Sequence, residues 1–263
     1  MEIAEATEPF FRREGALIIP QPHAVGPWEG AMMNGRNTVA ILAWAIERDH
    51  GEDGLVCARL TVDLLRPIPL APISISTRRT RDGKRLRAVI AEAVVDGKLV
   101  ATASALLLRQ GEHPEVDPWR PPEWDMPHPE TLERLVSPEA ENVQLDTRPE
   151  FAGRFFAEGQ RRLWFRETIS LVDDEPWTPF LRAAAMGDLT NPLANKAEVL
   201  RFINADVNVY LSRLPRGEWL GLEVLGHESD TGICIGSCAI YDTEGRIGWS
   251  TVAGLATAGS PVI

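Results

Sequence analysis

The sequence has 263 residues, a net charge of −11 at neutral pH and a sequence pI near 5.0. This acidic balance argues against a nucleic-acid backbone or an anionic membrane as a partner. No run of about 18 apolar residues could span a bilayer, and the acidic N-terminus lacks the apolar segment of a signal peptide. Three cysteines in no disulfide-like spacing indicate a reducing compartment, so a cytoplasmic protein is expected.

An apolar segment near the N-terminus organises the first half. Residues 9–19 predict a bent strand. The stretch 30–48 (GAMMNGRNTVAILAWAIER) predicts the start and body of a helix that is apolar nearly all the way round over 39–46. Such a helix is normally surrounded by other elements. Asn34 and Gly35 fall where the helix should begin, and its free N–H groups would suit an anion or a polarised carbonyl. Asn34 is equally consistent with a plain N-cap.

Four alternating apolar runs follow this helix. Each is bounded by Pro, Gly or Asp, as expected of antiparallel strands that pack one face on the helix. The runs lie at 60–65, 73–77, 86–95 and 99–108, and Asp82-Gly83 and Asp96-Gly97 predict hairpin turns between them.

The composition then changes, and the pattern later restarts. Prolines, acidic residues and two tryptophans between 111 and 159 predict a long connection without buried strands. Beyond it we predict a helix at 179–188 and strands at 161–171, 206–212, 219–225, 232–241 and 246–255. LTVDLLR in the first half aligns without a gap on VNVYLSR in the second. Two copies of one domain, 1–110 and 160–263, are therefore predicted, joined by a proline-rich linker at 111–159.

Four sequence segments resemble those of the double-hotdog acyl-CoA thioesterases of the TesB-like superfamily. They are GPWEGAMMNG before the first helix, FLRAAAMGDLTNP around the second, FINADVNVYLSRLPRGEWLGLE and IYDTEGRIGWS. The resemblance implies an α+β fold of two tandem hotdog domains, each a buried helix wrapped by a curved antiparallel sheet. It also implies a homodimer, and an acyl-CoA or similar acyl thioester as the substrate.

The same resemblance implies a hydrolytic site in the second half, built from an Asp at a strand start, a later Thr or Ser, and a Gln near the last strand. Asp206 matches the first position, the hydroxyl position falls on His227, and no Gln follows Gln160. Asp206 is thus the expected base or water-orienting group, and His227 a candidate base. Two plain alternatives stay open: Asp206 on the polar face of a half-buried strand, and His227 solvated in a polar turn.

Oxyanion donors are expected from the backbone near Asn34 and Gly35 or near Asp188 to Thr190. Asn34 is therefore a third catalytic candidate, and Gly35, Asp188 and Thr190 are expected substrate contacts. No dinucleotide, phosphate-loop or zinc-protease motif is present, so no cofactor or metal is expected. The predicted function is hydrolysis of an acyl-CoA by water. The alternatives are a non-catalytic acyl-CoA-binding protein and a hotdog hydratase or dehydratase.

Overall fold

The computed structural model describes residues 8–28, 30–122, 124–135, 144–150, 161–173, 175–196 and 200–260. In the first half the strands are β1 Phe11–Glu14, β2 Leu17–Pro20, β3 Leu55–Leu64, β4 Ile73–Asp82, β5 Leu86–Val95 and β6 Lys98–Arg109. In the second half they are β7 Leu145–Pro149, β8 Arg162–Glu167, β9 Leu200–Asn204, β10 Asp206–Leu211, β11 Leu220–Asp230, β12 Ile233–Asp242 and β13 Gly245–Ser260. The helices are α1 Gly35–His50, α2 Pro179–Asp188 and α3 Thr190–Asn195.

All these strands join one antiparallel sheet. Its order is β1-β2-β4-β5-β6-β3-β10-β13-β12-β11-β8-β7, and β9 pairs with β13. Helix α1 packs against β3 to β6, whereas α2 and α3 pack against strands of the second half. None of the helices in the described ranges is long and apolar enough to cross a bilayer. The predicted combination of a large antiparallel sheet with few helices is confirmed.

The predicted elements differ from the observed ones in several places. The bent strand at 9–19 is wrong, because the chain turns at Gly15, with φ +63°, to form the β1–β2 hairpin. Strand β9 and helix α3 have no counterpart in the prediction, and β7 lies inside the supposedly strand-free connection. β7 and β9 have 5 residues each and α3 has 6, and such short elements show too little periodicity for the sequence pattern to reveal them.

The tryptophans of the connection behave differently from each other. Trp124 stacks on Tyr241 with ring centroids 4.3 Å apart and meets Trp164 edge to face at 4.9 Å. Trp119, by contrast, is 85% exposed. The connection is therefore anchored on the sheet at Trp124. Three parts of the connection lie outside the described residues: 123, 136–143 and 151–159.

The two halves meet at strands β3 and β10. In the gap-free alignment of the halves, Leu60 corresponds to Val207 and Val62 to Val209. The observed register pairs Val62 with Val207 and Leu60 with Val209, so one pair maps onto the other when the halves are exchanged. The sheet therefore has an internal twofold relationship centred on this strand pair.

The two long helices follow the same relationship. Gly35 at the start of α1 lies against Asp188 at the end of α2. At the opposite ends, the hydroxyl of Thr178 before α2 donates a 2.6 Å hydrogen bond to Glu47 near the end of α1. The helices thus run side by side in opposite directions, and each end of the pair places a carboxylate beside a helix start.

Candidate active site

One end of the helix pair brings a buried carboxylate against a glycine. A Cβ atom added to Gly35 would lie only 2.6 Å from Oδ1 of Asp188, so any larger residue would collide with the carboxylate. Gly35 is the first residue of α1, and N–H groups in the first helical turn have no acceptor within their own helix. A helix start suited to developing negative charge therefore lies directly beside a carboxylate.

The surroundings of Asp188 tune its acidity. The side chain of Asp188 is buried at the end of α2, and Nδ2 of Asn204 donates a short hydrogen bond to its Oδ1. Burial raises the pKa of Asp188 to about 6, while the Asn204 hydrogen bond and the positive charge of Arg36 oppose that rise. Above this pKa the carboxylate is ionised and suited to accept a proton from water near neutral pH.

A buried ion pair supports the first turn of α1. Arg36 is 2% exposed, and its Nη1 donates to both carboxylate oxygens of Glu167 on β8, at 2.7 and 2.6 Å. Its Nη2 donates to Gln144 at 3.3 Å, and the guanidinium lies 5.2 Å above the ring of Phe10. Burial raises the pKa of Glu167, and Arg36 opposes this by stabilising the charged form. The pair fixes α1 to the second half beside Asp188.

Asp206 lies on the other face of the sheet. Val207 and Val209, its alternating neighbours on β10, are the side chains that a Cβ at Gly187 of α2 would strike, so they face the helices. Oδ1 of Asp206 accepts from the Ala253 N–H at 2.6 Å and Oδ2 from Nδ2 of Asn208 at 2.7 Å. These contacts agree with the alternative in which Asp206 is a polar residue on the outer face of a half-buried strand.

His227 lies in strand β11, so the polar turn predicted around it is wrong; the chain turns after it, at Thr231 and Gly232. Its side chain is exposed, with Nδ1 2.7 Å from Oδ1 of Asn195 and Nε2 3.0 Å from Oγ of Ser229. Within the described residues, no hydrogen bond joins it to Asp206. The two predicted groups are not brought together as a catalytic pair.

The remaining predicted residues lie near the start of α1 and the end of α2. Asn34 is the N-cap of α1, and its Oδ1 accepts a 3.0 Å hydrogen bond from the N–H of Arg36. Thr190 is fully buried beside the thiol of Cys238, whose pKa burial raises to about 12. The Leu189 N–H donates to the carbonyl of Met186, so this part of the predicted 188–190 donor group is already occupied.

Sequence reasoning missed Asn204. The residue ends β9 and its side chain contacts α2, although Asp206, two residues later, faces outward. The chain changes from β9 to β10 at Ala205, whose N–H donates to the carbonyl of Ala253. Simple alternation would place Asn204 and Asp206 on one face, and this irregularity separates them. The only sequence signal for Asn204 was its position two residues before Asp206 in the segment Asn-Ala-Asp.

Comparison with known proteins supports this architecture. The model of the acyl-CoA thioesterase N-terminal domain matches residues 24–108, and that of the C-terminal domain matches residues 112–251. No curated protein matches the chain.

Solved structures show the fold. A conserved protein of unknown function with hot dog fold from Alicyclobacillus acidocaldarius superposes with a TM-score of 0.71 at 19% identity, covering 94% of this chain and 96% of that one. An acyl-CoA thioesterase II from Mycobacterium marinum gives 0.65 at 18% identity, covering 96% of each chain. At this identity the likeness shows the hotdog fold alone. The two family models together span most of the sequence, and the chain therefore belongs to the acyl-CoA thioesterase family, the hydrolases of acyl-CoA thioesters.

Proposed function

We propose that this chain hydrolyses its acyl-CoA substrate at the junction of α1 and α2, with Asp188 rather than Asp206 as the base. The observation that carries the proposal is the contact between the Asp188 carboxylate and Gly35 in the first turn of α1. A proton acceptor and a helix start that can stabilise an oxyanion then lie side by side.

The proposed reaction needs no covalent intermediate. Asp188 accepts a proton from a water molecule while the water oxygen attacks the thioester carbonyl carbon. The carbonyl oxygen gains negative charge and accepts a hydrogen bond from the backbone N–H of Gly35. When the tetrahedral intermediate collapses, the carbon–sulfur bond breaks, and the thiolate of coenzyme A takes the proton from Asp188. The products are a carboxylic acid and the free thiol.

Asn204 has a positioning role in this proposal. Its amide holds one oxygen of Asp188 by a short hydrogen bond and stabilises the ionised form. The backbone N–H of Arg36 also hydrogen-bonds this carboxylate and favours its ionised form. A carboxylate has about four acceptor sites, so one of the remaining sites would bind the water. Asn34 contributes by fixing the first turn of α1 through its N-cap hydrogen bond, which leaves the N–H of Gly35 for the substrate.

The test measures thiol release from short, medium, long and aromatic acyl-CoAs. We expect wild-type release to disappear in Asp188→Asn and to persist in Asp206→Asn and His227→Ala, whose side chains lie elsewhere. Release that survives Asp188→Asn and disappears in Asp206→Asn would refute the placement of the base. Binding without release from any substrate would instead favour a non-catalytic acyl-CoA-binding protein.

We also propose that the two halves are tandem hotdog domains and that the protein forms a homodimer in a reducing compartment such as the cytoplasm. The internal twofold relationship of β3 and β10 and the separate N- and C-terminal family models support the domain division. Exposed apolar side chains on β12 and β13, Ile233, Ile235 and Leu255, support a covered outer face. Light scattering coupled to size exclusion tests the dimer, and a monomeric mass would refute it.

A further inference from the structure

The opposite end of the helix pair contains a cavity that the proposed reaction does not use. Its volume is about 200 Å³, and it lies between the end of α1 and the start of α2. Its apolar lining comes from Ile46, Leu55, Cys57, Leu107, Phe180 and Leu214. A cavity of about 150 Å³ can hold a benzene molecule, so this one has room for a short acyl chain.

The cavity lies at the opposite end of the helix pair from the Asp188 site. Glu47 lines it and accepts the hydroxyl hydrogen bond of Thr178, as Asp188 lies against Gly35 at the other end. Burial raises the pKa of Glu47, as it does that of Asp188. Each half of the chain thus places one carboxylate beside the helix start of the other half.

A basic hairpin lies next to this cavity. Residues 78–87 of β4 and β5 contain six Arg or Lys residues and one Asp, in a chain whose net charge is −11. Glu52, which lines the cavity, forms ion pairs with Arg87 and Arg109, and Nε of Arg109 donates to the carbonyl of Lys84. These contacts connect the cavity to the tip of the hairpin.

The hairpin also presents cations that form no ion pair with a carboxylate of the described ranges. The four side chains concerned are exposed and form no ion pair with any residue in the described ranges: Arg78, Arg81, Lys84 and Arg85. Exposed unpaired cations attract multiply charged anions such as phosphates. An apolar cavity beside such a group suits a ligand with a phosphate-bearing head and a short apolar tail.

We propose that the Glu47 cavity and the β4–β5 hairpin form a second acyl-CoA site, which binds the thioester but does not cleave it. This inference rests on the proposed function for its ligand class. Cleavage is absent because the first residue of α2 is Pro179, which has no N–H, where α1 has Gly35.

The test is calorimetric titration of the full chain with S-hexyl-coenzyme A, a thioether that water cannot cleave. We expect two equivalents per wild-type chain and one in Arg81→Glu/Lys84→Glu, the second Kd rising at least about tenfold. The control variant Lys98→Glu/Arg120→Glu makes the same change in net charge at exposed sites away from the hairpin. It should still bind two equivalents of ligand per chain. Leu55→Trp, whose larger side chain should fill the cavity, should also bind only one equivalent of ligand per chain.

Thiol release by the same variants separates the two proposals. We expect the hairpin variant to hydrolyse acyl-CoA with a kcat within about twofold of wild type, because Asp188 lies at the other end of the helices. If the wild type binds only one equivalent of ligand, or if the hairpin and control variants weaken binding equally, the second site is overturned. Continued thiol release in that case would leave the proposed function intact. Release that survives Asp188→Asn but not Glu47→Gln would show cleavage at the second site and overturn its non-cleaving role.

Discussion

Gly35 and Asp188 are packed so closely that a single methyl group on Gly35 would lie 2.6 Å from a carboxylate oxygen. Real Cβ atoms essentially never approach other atoms so closely, and this same oxygen, Oδ1, is held in place by a hydrogen bond from Asn204. The start of α1 and the end of α2 therefore require glycine at this contact.

Gly35→Ala should reduce kcat by about a hundredfold, because displacement of a catalytic group by about 1 Å can cost that much. Steady-state thiol release measures the change. Gly111→Ala is the matched control, since a Cβ there would meet nothing within 4 Å. Wild-type kcat in Gly35→Ala, with the fold intact by circular dichroism, would contradict the proposed site.

The reaction should depend on the ionisation of Asp188. Because burial raises its pKa to about 6, kcat/KM should be constant above neutral pH and fall tenfold per pH unit well below 6. A profile that stays flat down to pH 4.5 would exclude Asp188 as the base. The stability of the protein must be checked across the same range, so that unfolding does not imitate the loss.

Asp188→Asn should abolish hydrolysis and yet stabilise the protein at high pH. A carboxyl group with a raised folded-state pKa opposes folding when it is ionised, so this cost is present above about pH 6 and absent below about pH 4. The gain in unfolding free energy at pH 8 should approach about 3 kcal/mol. Urea denaturation at pH 8 and pH 4 measures the difference, and an equal effect at both values would argue against a raised pKa.

Asn204→Ala should move the pH profile rather than remove activity. The Asn204 hydrogen bond lowers the pKa of Asp188, so without it the acidic limb should shift to higher pH. At pH 6 the rate should fall about tenfold, with a smaller loss at pH 9. Asn208→Ala, which removes a similar amide from the outer face, should leave the profile unchanged. A purely structural role for Asn204 would lower the rate equally at every pH.

Arg36→Met should cost about 3–5 kcal/mol of unfolding free energy, because it leaves the buried Glu167 without its partner. Arg36→Met/Glu167→Met should recover most of that loss, since neither charge then remains buried. Arg12→Met breaks an exposed pair with Glu8 and should cost less than about 1 kcal/mol. Urea denaturation compares the three, and a double variant as unstable as Arg36→Met would show that packing, not charge, supports the junction.

Much of the fold followed from the sequence. The apolar residues 39–46 are all buried in α1, and the alternating runs after it became β3 to β6. Strand β5 and helix α2 have the predicted bounds. These elements were predictable because a buried helix and a half-buried strand each impose a repeat on nearby residues. The gap-free alignment of the halves also anticipated a symmetry that appears in the register of β3 and β10.

The candidate site depends on the tertiary structure. Asp188 and Gly35 both appear in the quoted phrases, but they are 153 positions apart by residue number, and only the antiparallel packing of α1 and α2 brings them into contact. Asp206 matched a sequence position, yet the irregularity at Ala205 turns Asn204 toward the helices and leaves Asp206 outside. Periodicity reports which face of an element is buried, whereas a site depends on which elements meet, and that is determined by contacts distant in sequence.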